Sequence, residues 1–125
     1  MTKPLRILVV EDEMTIALLI EDMLTEMGHE VVALAMRLQP ALVHAQTADI
    51  DFAILDINLD GKQSFPVADI LTSRGVPFTF ASGYGSTGLE IKFAQAPTLA
   101  KPYQPDDLQA LLVSAMINPE RRAHA

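Results

Sequence analysis

The chain reads as an α/β domain, a parallel sheet with helices on both of its faces. Strand-like and helix-like segments alternate five times along the 125 residues, a pattern that points to right-handed crossovers between parallel strands. Four strand-like runs are short and mostly apolar, as strands covered on both faces must be. Each of these four also ends at a polar residue capable of chemistry: Leu5 to Val10 at Glu11-Asp12, Phe52 to Leu55 at Asp56, Phe78 to Ala81 at Ser82, and Pro97 to Ala100 at Lys101-Pro102. In an open parallel sheet the loops beyond the carboxyl ends of the strands meet along one edge, so these residues are expected to converge there.

The elements follow in order. After the first strand, Ile16, Leu19, Ile20, Met23, Leu24 and Met27 repeat with the spacing of an amphipathic helix, and Gly28 is placed to stop it. Val31 to Ala35 predicts a second strand, and Pro40 to Ala45, opened from Gln39-Pro40, a second helix. Phe52 to Leu55 is too short for a helix and predicts a central parallel strand. Phe65 to Leu71 predicts a helix with Ser64 as its cap, Pro66 in the first turn and Gly75 beyond the end, and Pro77 then leads into the strand Phe78 to Ala81. Three glycines between Gly83 and Gly88 disfavour a regular helix until Leu89 to Ala94, so a mobile, poorly helical segment is expected. The last helix gathers Leu108, Leu111, Leu112, Ala115 and Met116 on one face and starts at Pro105-Asp106-Asp107, where acidic residues suit the helix N-terminus. Residues 1–125 form one domain in this reading, with an ordered core over about 4–117 and a tail over 118–125.

Composition narrows the function classes. Half the residues are hydrophobic and 20% are charged, as in a globular protein, and no apolar stretch reaches the ~20 residues of a membrane span. The start, Met1 to Arg6, has no secretory h-region, so a cytoplasmic location without membrane partners is the expectation. Zero cysteines exclude disulfides, thiol nucleophiles and thiolate zinc sites. A net charge of −7 argues against nucleic acid as a direct partner. His29, His44 and His124 lack metal-ligand spacing and read as isolated surface histidines. Met14, Met23, Met27, Met36 and Met116 read as core packing, Tyr103 as packing and Tyr84 as a recognition contact.

Taken singly the site residues have bland explanations. Glu11-Asp12 could cap the following helix, Asp56 could form a turn before Asn58-Leu59-Asp60-Gly61, and Ser82 and Lys101 could be solvated loop residues. Together they place three carboxylates, a hydroxyl and a lysine in one cleft, a set that suits a divalent cation and a phosphoryl group.

From Ile7-Leu8-Val9-Val10-Glu11-Asp12-Glu13 through Asp56-Ile57-Asn58-Leu59-Asp60-Gly61 to Lys101-Pro102-Tyr103, the chain resembles a response-regulator receiver domain over essentially its whole length. The resemblance implies a flavodoxin-like (βα)5 doubly wound sheet of order 2-1-3-4-5, in which a sensor histidine kinase passes a phosphoryl group to one aspartate. By the motif, Asp56 is the phosphoacceptor, Glu11 and Asp12 hold Mg²⁺ together with Asp56, and Asn58 adds its backbone carbonyl to the metal. Ser82 matches the hydroxyl that follows the phosphoryl group, and Lys101 the lysine that contacts it. Attack on phosphohistidine spreads negative charge over the transferred oxygens, which cationic groups stabilise.

Thr98 stands where receivers usually carry Tyr or Phe, a departure from the pattern on which the aromatic relay rests. The run Phe78 to Gly85 is similar to the Phe-Ala-Thr-Gly-Tyr-type alphaproteobacterial receivers, with Ser82 in place of Thr. That similarity implies a short or irregular fourth helix and kinases of the HWE or HisKA2 type. The expected function is a single-domain regulator, a monomer or a phosphorylation-dependent dimer, that signals by phosphorylation-dependent protein binding or drains phosphate as a sink. The alternative is a Mg²⁺-dependent small-molecule phosphatase or phosphotransferase using an aspartyl-phosphate, though Asn58 stands where such chemistry wants an acid or base. A flavin or nucleotide binder is disfavoured because no glycine-rich cradle follows the first strand.

Overall fold

The computed structural model describes residues 4–59, 61–82, 98–100 and 104–117. Strand β1 (Arg6–Val10) leads into α1 (Met14–Glu26), β2 (Glu30–Ala35), α2 (Leu38–Thr47) and β3 (Phe52–Asp56). A hairpin of β4 (Asn58–Leu59) and β5 (Lys62–Gln63) precedes α3 (Phe65–Arg74), which is followed by β6 (Phe78–Ser82), β7 (Thr98–Ala100) and α4 (Pro105–Ile117). The main sheet is parallel throughout, in the order β2-β1-β3-β6-β7. Its five strands therefore follow the expected 2-1-3-4-5 arrangement of flavodoxin-like folds.

The sheet is buried on both faces, and the period-two alternation of its strands sorts the core. Leu8, Val10, Ala53, Leu55 and Phe80 pack with Ala41, Ala45, Phe65, Ala68 and Leu71 of α2 and α3. Ile7, Val9, Phe52, Ile54 and Ala81 pack with Ile20, Met23, Leu24, Leu108 and Leu112 of α1 and α4. Phe80 meets the rings of Phe65 and Phe78 edge-on, with centroids 5.6 and 5.4 Å away. Among the described residues no helix is long and apolar enough to cross a membrane.

Several sequence expectations need correction. Leu19 belongs to the helical pattern by spacing, yet it is 48% exposed, and Met14, expected in the core, is 51% exposed. The buried stripe of α1 is Ala17, Ile20, Met23 and Leu24, so the apolar pattern is wider than the face the sheet can cover. Ser64 does occupy the N-cap position of α3, but its hydroxyl makes no capping bond and is buried without a hydrogen-bond partner. Its ψ of 5° departs from the extended backbone that brings a capping oxygen to the first-turn amides, and the Ser64 N–H donates to the Ile57 carbonyl. His29 is a half-buried acceptor, its Nδ1 taking the Leu5 N–H at 3.0 Å, instead of an isolated surface residue. Helix α2 is longer than predicted, with Pro40 inside its first turn. Gly28 (φ +87°) and Gly75 (φ +72°) end α1 and α3 in the left-handed region, as their positions predict. The segment Gly83 to Ala94, Tyr84, Lys101, Tyr103, His124 and the tail over 118–125 lie outside the described residues.

Candidate functional site

Parallel register brings the carboxylates together. Val10 pairs with Leu55, so Glu11 and Asp56 each stand one step further along adjacent strands, at the carboxyl edge of the sheet. Asp56 in turn pairs with Ala81, which puts Ser82 one step further along β6. By alternation Glu11 and Asp56 continue the series Ile7, Val9 and Phe52, Ile54, the series that faces α1. Asp12 lies in the short connection from Glu11 to that helix.

Glu11, Asp12 and Asp56 each offer a carboxylate oxygen, and the three atoms lie within 4.8 Å of one another. Glu11 is fully buried and Asp56 is 7% exposed, while Asp12 is half-buried. The Glu11 carboxylate also accepts the Glu13 N–H at 3.1 Å, just ahead of α1, where the positive end of the helix dipole favours an anion. Helix-terminal bonding and a place in the acidic cluster are therefore both true of Glu11. The Asp56 carboxylate is approached by the Asn58 N–H at 3.4 Å. Oxygen donors of one sign, gathered this tightly and partly withdrawn from water, fit a hard divalent cation such as Mg²⁺. Two charged carboxylates at such a separation repel by roughly 3 kcal/mol in a medium of effective dielectric about 20.

Of the residues expected at the site, Glu11, Asp12 and Asp56 come together as predicted, and Asn58 stands beside Asp56 at the start of β4. Ser82 ends β6 at the same edge by its backbone, with its hydroxyl outside the described residues together with Lys101. Thr98 opens β7, paired with Phe80. In sequence Asn58-Leu59-Asp60-Gly61 reads as a turn-forming stretch and as the source of the Asn58 carbonyl, and the hairpin it begins is not anticipated. Asn58 pairs with Gln63 and Leu59 with Lys62 across an antiparallel ladder, and Gly61 takes φ +84°. The signal was present, since Asp-Gly between two short strands is a strong two-residue hairpin motif.

Comparison with known proteins agrees with this geometry. Residues 7–113 match the response regulator receiver domain family model. The chain is 30% identical over 114 residues to the phyllosphere-induced regulator PhyR of Methylorubrum extorquens, covering 88% of this chain and 43% of that protein. It is thus similar to less than half the length of that curated relative. The solution structure of SdrG from Sphingomonas melonis is similar over 93% of this chain and 99% of that one, with 36% identity and a TM-score of 0.82. The anti-anti-sigma factor PhyR from Bartonella quintana matches over 98% of this chain and 51% of that one, with 26% identity and a TM-score of 0.79. A doubly wound sheet with an acidic cluster at its carboxyl edge and a family match over 7–113 lead to one assignment: this chain belongs to the response regulator receiver domain family.

Proposed function

We propose that this receiver domain accepts a phosphoryl group on Asp56 from a sensor histidine kinase and signals through a protein partner that distinguishes the phosphorylated surface. The observation that carries the reading is the convergence of Glu11, Asp12 and Asp56 within 4.8 Å at one edge of the sheet. Asp56 supplies the nucleophile: a carboxylate oxygen bonds to phosphorus as the bond to the donor histidine nitrogen breaks, leaving an aspartyl-phosphate and a neutral imidazole. Glu11, Asp12 and Asp56, with the Asn58 carbonyl, would hold Mg²⁺, which when bound offsets the negative charge on the transferred oxygens. Lys101 supplies a point charge to the phosphoryl group and Ser82 a hydroxyl. The backbone around Asp56 is held by the ladder to β1 and β6 and by the Ile57 N–H to the Ala81 carbonyl at 3.3 Å, so the nucleophile is presented by a rigid element.

The similarity to PhyR proteins favours a regulatory output, and the one from Bartonella quintana is named an anti-anti-sigma factor. For this chain the corresponding partner is a regulatory protein engaged after phosphorylation, with a phosphate-sink role as the other outcome. Incubation with acetyl phosphate and Mg²⁺ tests the core of the reading by intact mass. The expected result is a gain of one phosphoryl group that is abolished in Asp56→Asn. Uptake that persists in that variant would overturn the assignment, and sustained turnover of small phosphate esters would favour the phosphatase alternative.

A further inference from the structure

The β4–β5 hairpin places a second carboxamide residue, Gln63, opposite Asn58, whose N–H approaches the Asp56 carboxylate. Asn58 opens β4 with its N–H 3.4 Å from the Asp56 carboxylate, and Gln63 is its direct antiparallel partner. Directly opposed residues in such a ladder project from the same face with Cβ atoms ~5 Å apart. Both Asn58 and Gln63 are exposed, whereas Leu59 on the alternate face is buried. The sequence separates Asp56 from Gln63 by a whole turn, yet the left-handed Gly61 folds that turn back so that Gln63 returns to the level of Asn58.

We infer that Gln63 is a positioning residue for hydrolysis of the aspartyl-phosphate, its carboxamide holding the attacking water beside Asn58. This rests on the reading of Asp56 as phosphoacceptor. A carboxamide is suited to the task, since its oxygen accepts from a water while its N–H₂ donates to a phosphoryl oxygen. In the step itself the water oxygen bonds to phosphorus as the bond from phosphorus to the Asp56 oxygen breaks. The products are the Asp56 carboxylate and hydrogen phosphate, which keeps one proton of the water while the other passes to solvent. Lys62, whose ladder partner is Leu59, belongs to the alternate face of the hairpin and serves as the control.

The test loads the full chain with acetyl phosphate and Mg²⁺, removes the donor, and follows loss of the phosphoryl group by intact mass. Gln63→Ala should load at the parent rate and lose phosphate about fivefold more slowly, the effect of one modest hydrogen bond missing from the transition state. Gln63→Glu should be at least as slow, because its charge repels the phosphoryl oxygens. Melting temperatures of both should match the parent, and Lys62→Ala should decay normally. Parent-like decay in Gln63→Ala overturns the inference, and so does equal slowing in Lys62→Ala, which would mark a general disturbance of the hairpin. A parent chain that gains no phosphoryl group overturns the phosphoacceptor reading instead, and that result is visible before any decay is followed.

Discussion

At the carboxyl edge of the sheet Glu11, Asp12 and Asp56 crowd like charges within 4.8 Å, whereas at the amino edge Asp49 and Asp51 face a cation, Arg6. The two edges are joined by the same strands: Arg6 opens β1 and Glu11 follows it, and Asp51 precedes β3 while Asp56 ends it. At the amino edge the Asp51 carboxylate accepts the Arg6 backbone N–H at 2.9 Å and its Nε at 3.2 Å, and the Arg6 guanidinium also bonds Asp49. The neighbouring Asp51 raises the already high pKa of Arg6, first through the hydrogen bond and then through charge, so that cation is permanent. The amino edge sets its carboxylates against a cation, whereas the carboxyl edge sets three carboxylates against one another. Gathering like charges out of water is disfavoured for stability alone, and that cost is the physical ground for the cation-binding reading proposed for the carboxyl edge.

The largest expected effect follows from filling the acidic edge. Mg²⁺ at one hundred times its dissociation constant should stabilise the chain by about 2.7 kcal/mol, read as a rise in melting temperature. Asp12→Ala should lose most of that rise, and an undiminished response would misplace the cation. Disruption at the amino edge should be smaller and independent of metal. Asp51→Ala removes the acceptor of a backbone N–H and is expected to cost roughly 1 to 2 kcal/mol, with the Mg²⁺ response intact. The edges lie at opposite ends of the five-residue β1, ~16 Å apart, so the two substitutions should add. A double variant that departs from additivity would show that the edges communicate.

Much of this contrast was legible in the sequence, and the parts that were not have physical reasons. The convergence of Glu11, Asp12 and Asp56 was legible because apolar runs of a parallel sheet end at one edge, a rule that needs no knowledge of side-chain contacts. The amino edge was not, because Arg6, Asp49 and Asp51 are unremarkable in composition and become a cluster only through the register of β1 and β3. Leu19 and Met14 were misplaced because spacing identifies a helix more securely than it says how wide a stripe the sheet covers. Ser64 has the residue type and position of a cap, but its backbone angle withholds the bond. Gln63 escaped notice because a hairpin must close before it stands opposite Asn58.

The smallest expected effect also belongs to the amino edge and concerns His29. Its Nδ1 accepts the Leu5 N–H at 3.0 Å, which ties the turn after α1 to the start of β1 and requires that nitrogen to be unprotonated. Burial lowers the His29 pKa from the ordinary histidine value of 6.5, so the unfolded chain binds this proton more readily than the folded one. Stability from this contact is therefore fully present above pH 6.5 and falls as the pH drops below it toward the folded value. Melting curves from about pH 7.5 to about pH 5.5 should show a decline that is smaller than the Asp51→Ala effect and is abolished in His29→Gln, which cannot titrate. A decline that survives His29→Gln would assign the pH response to another group.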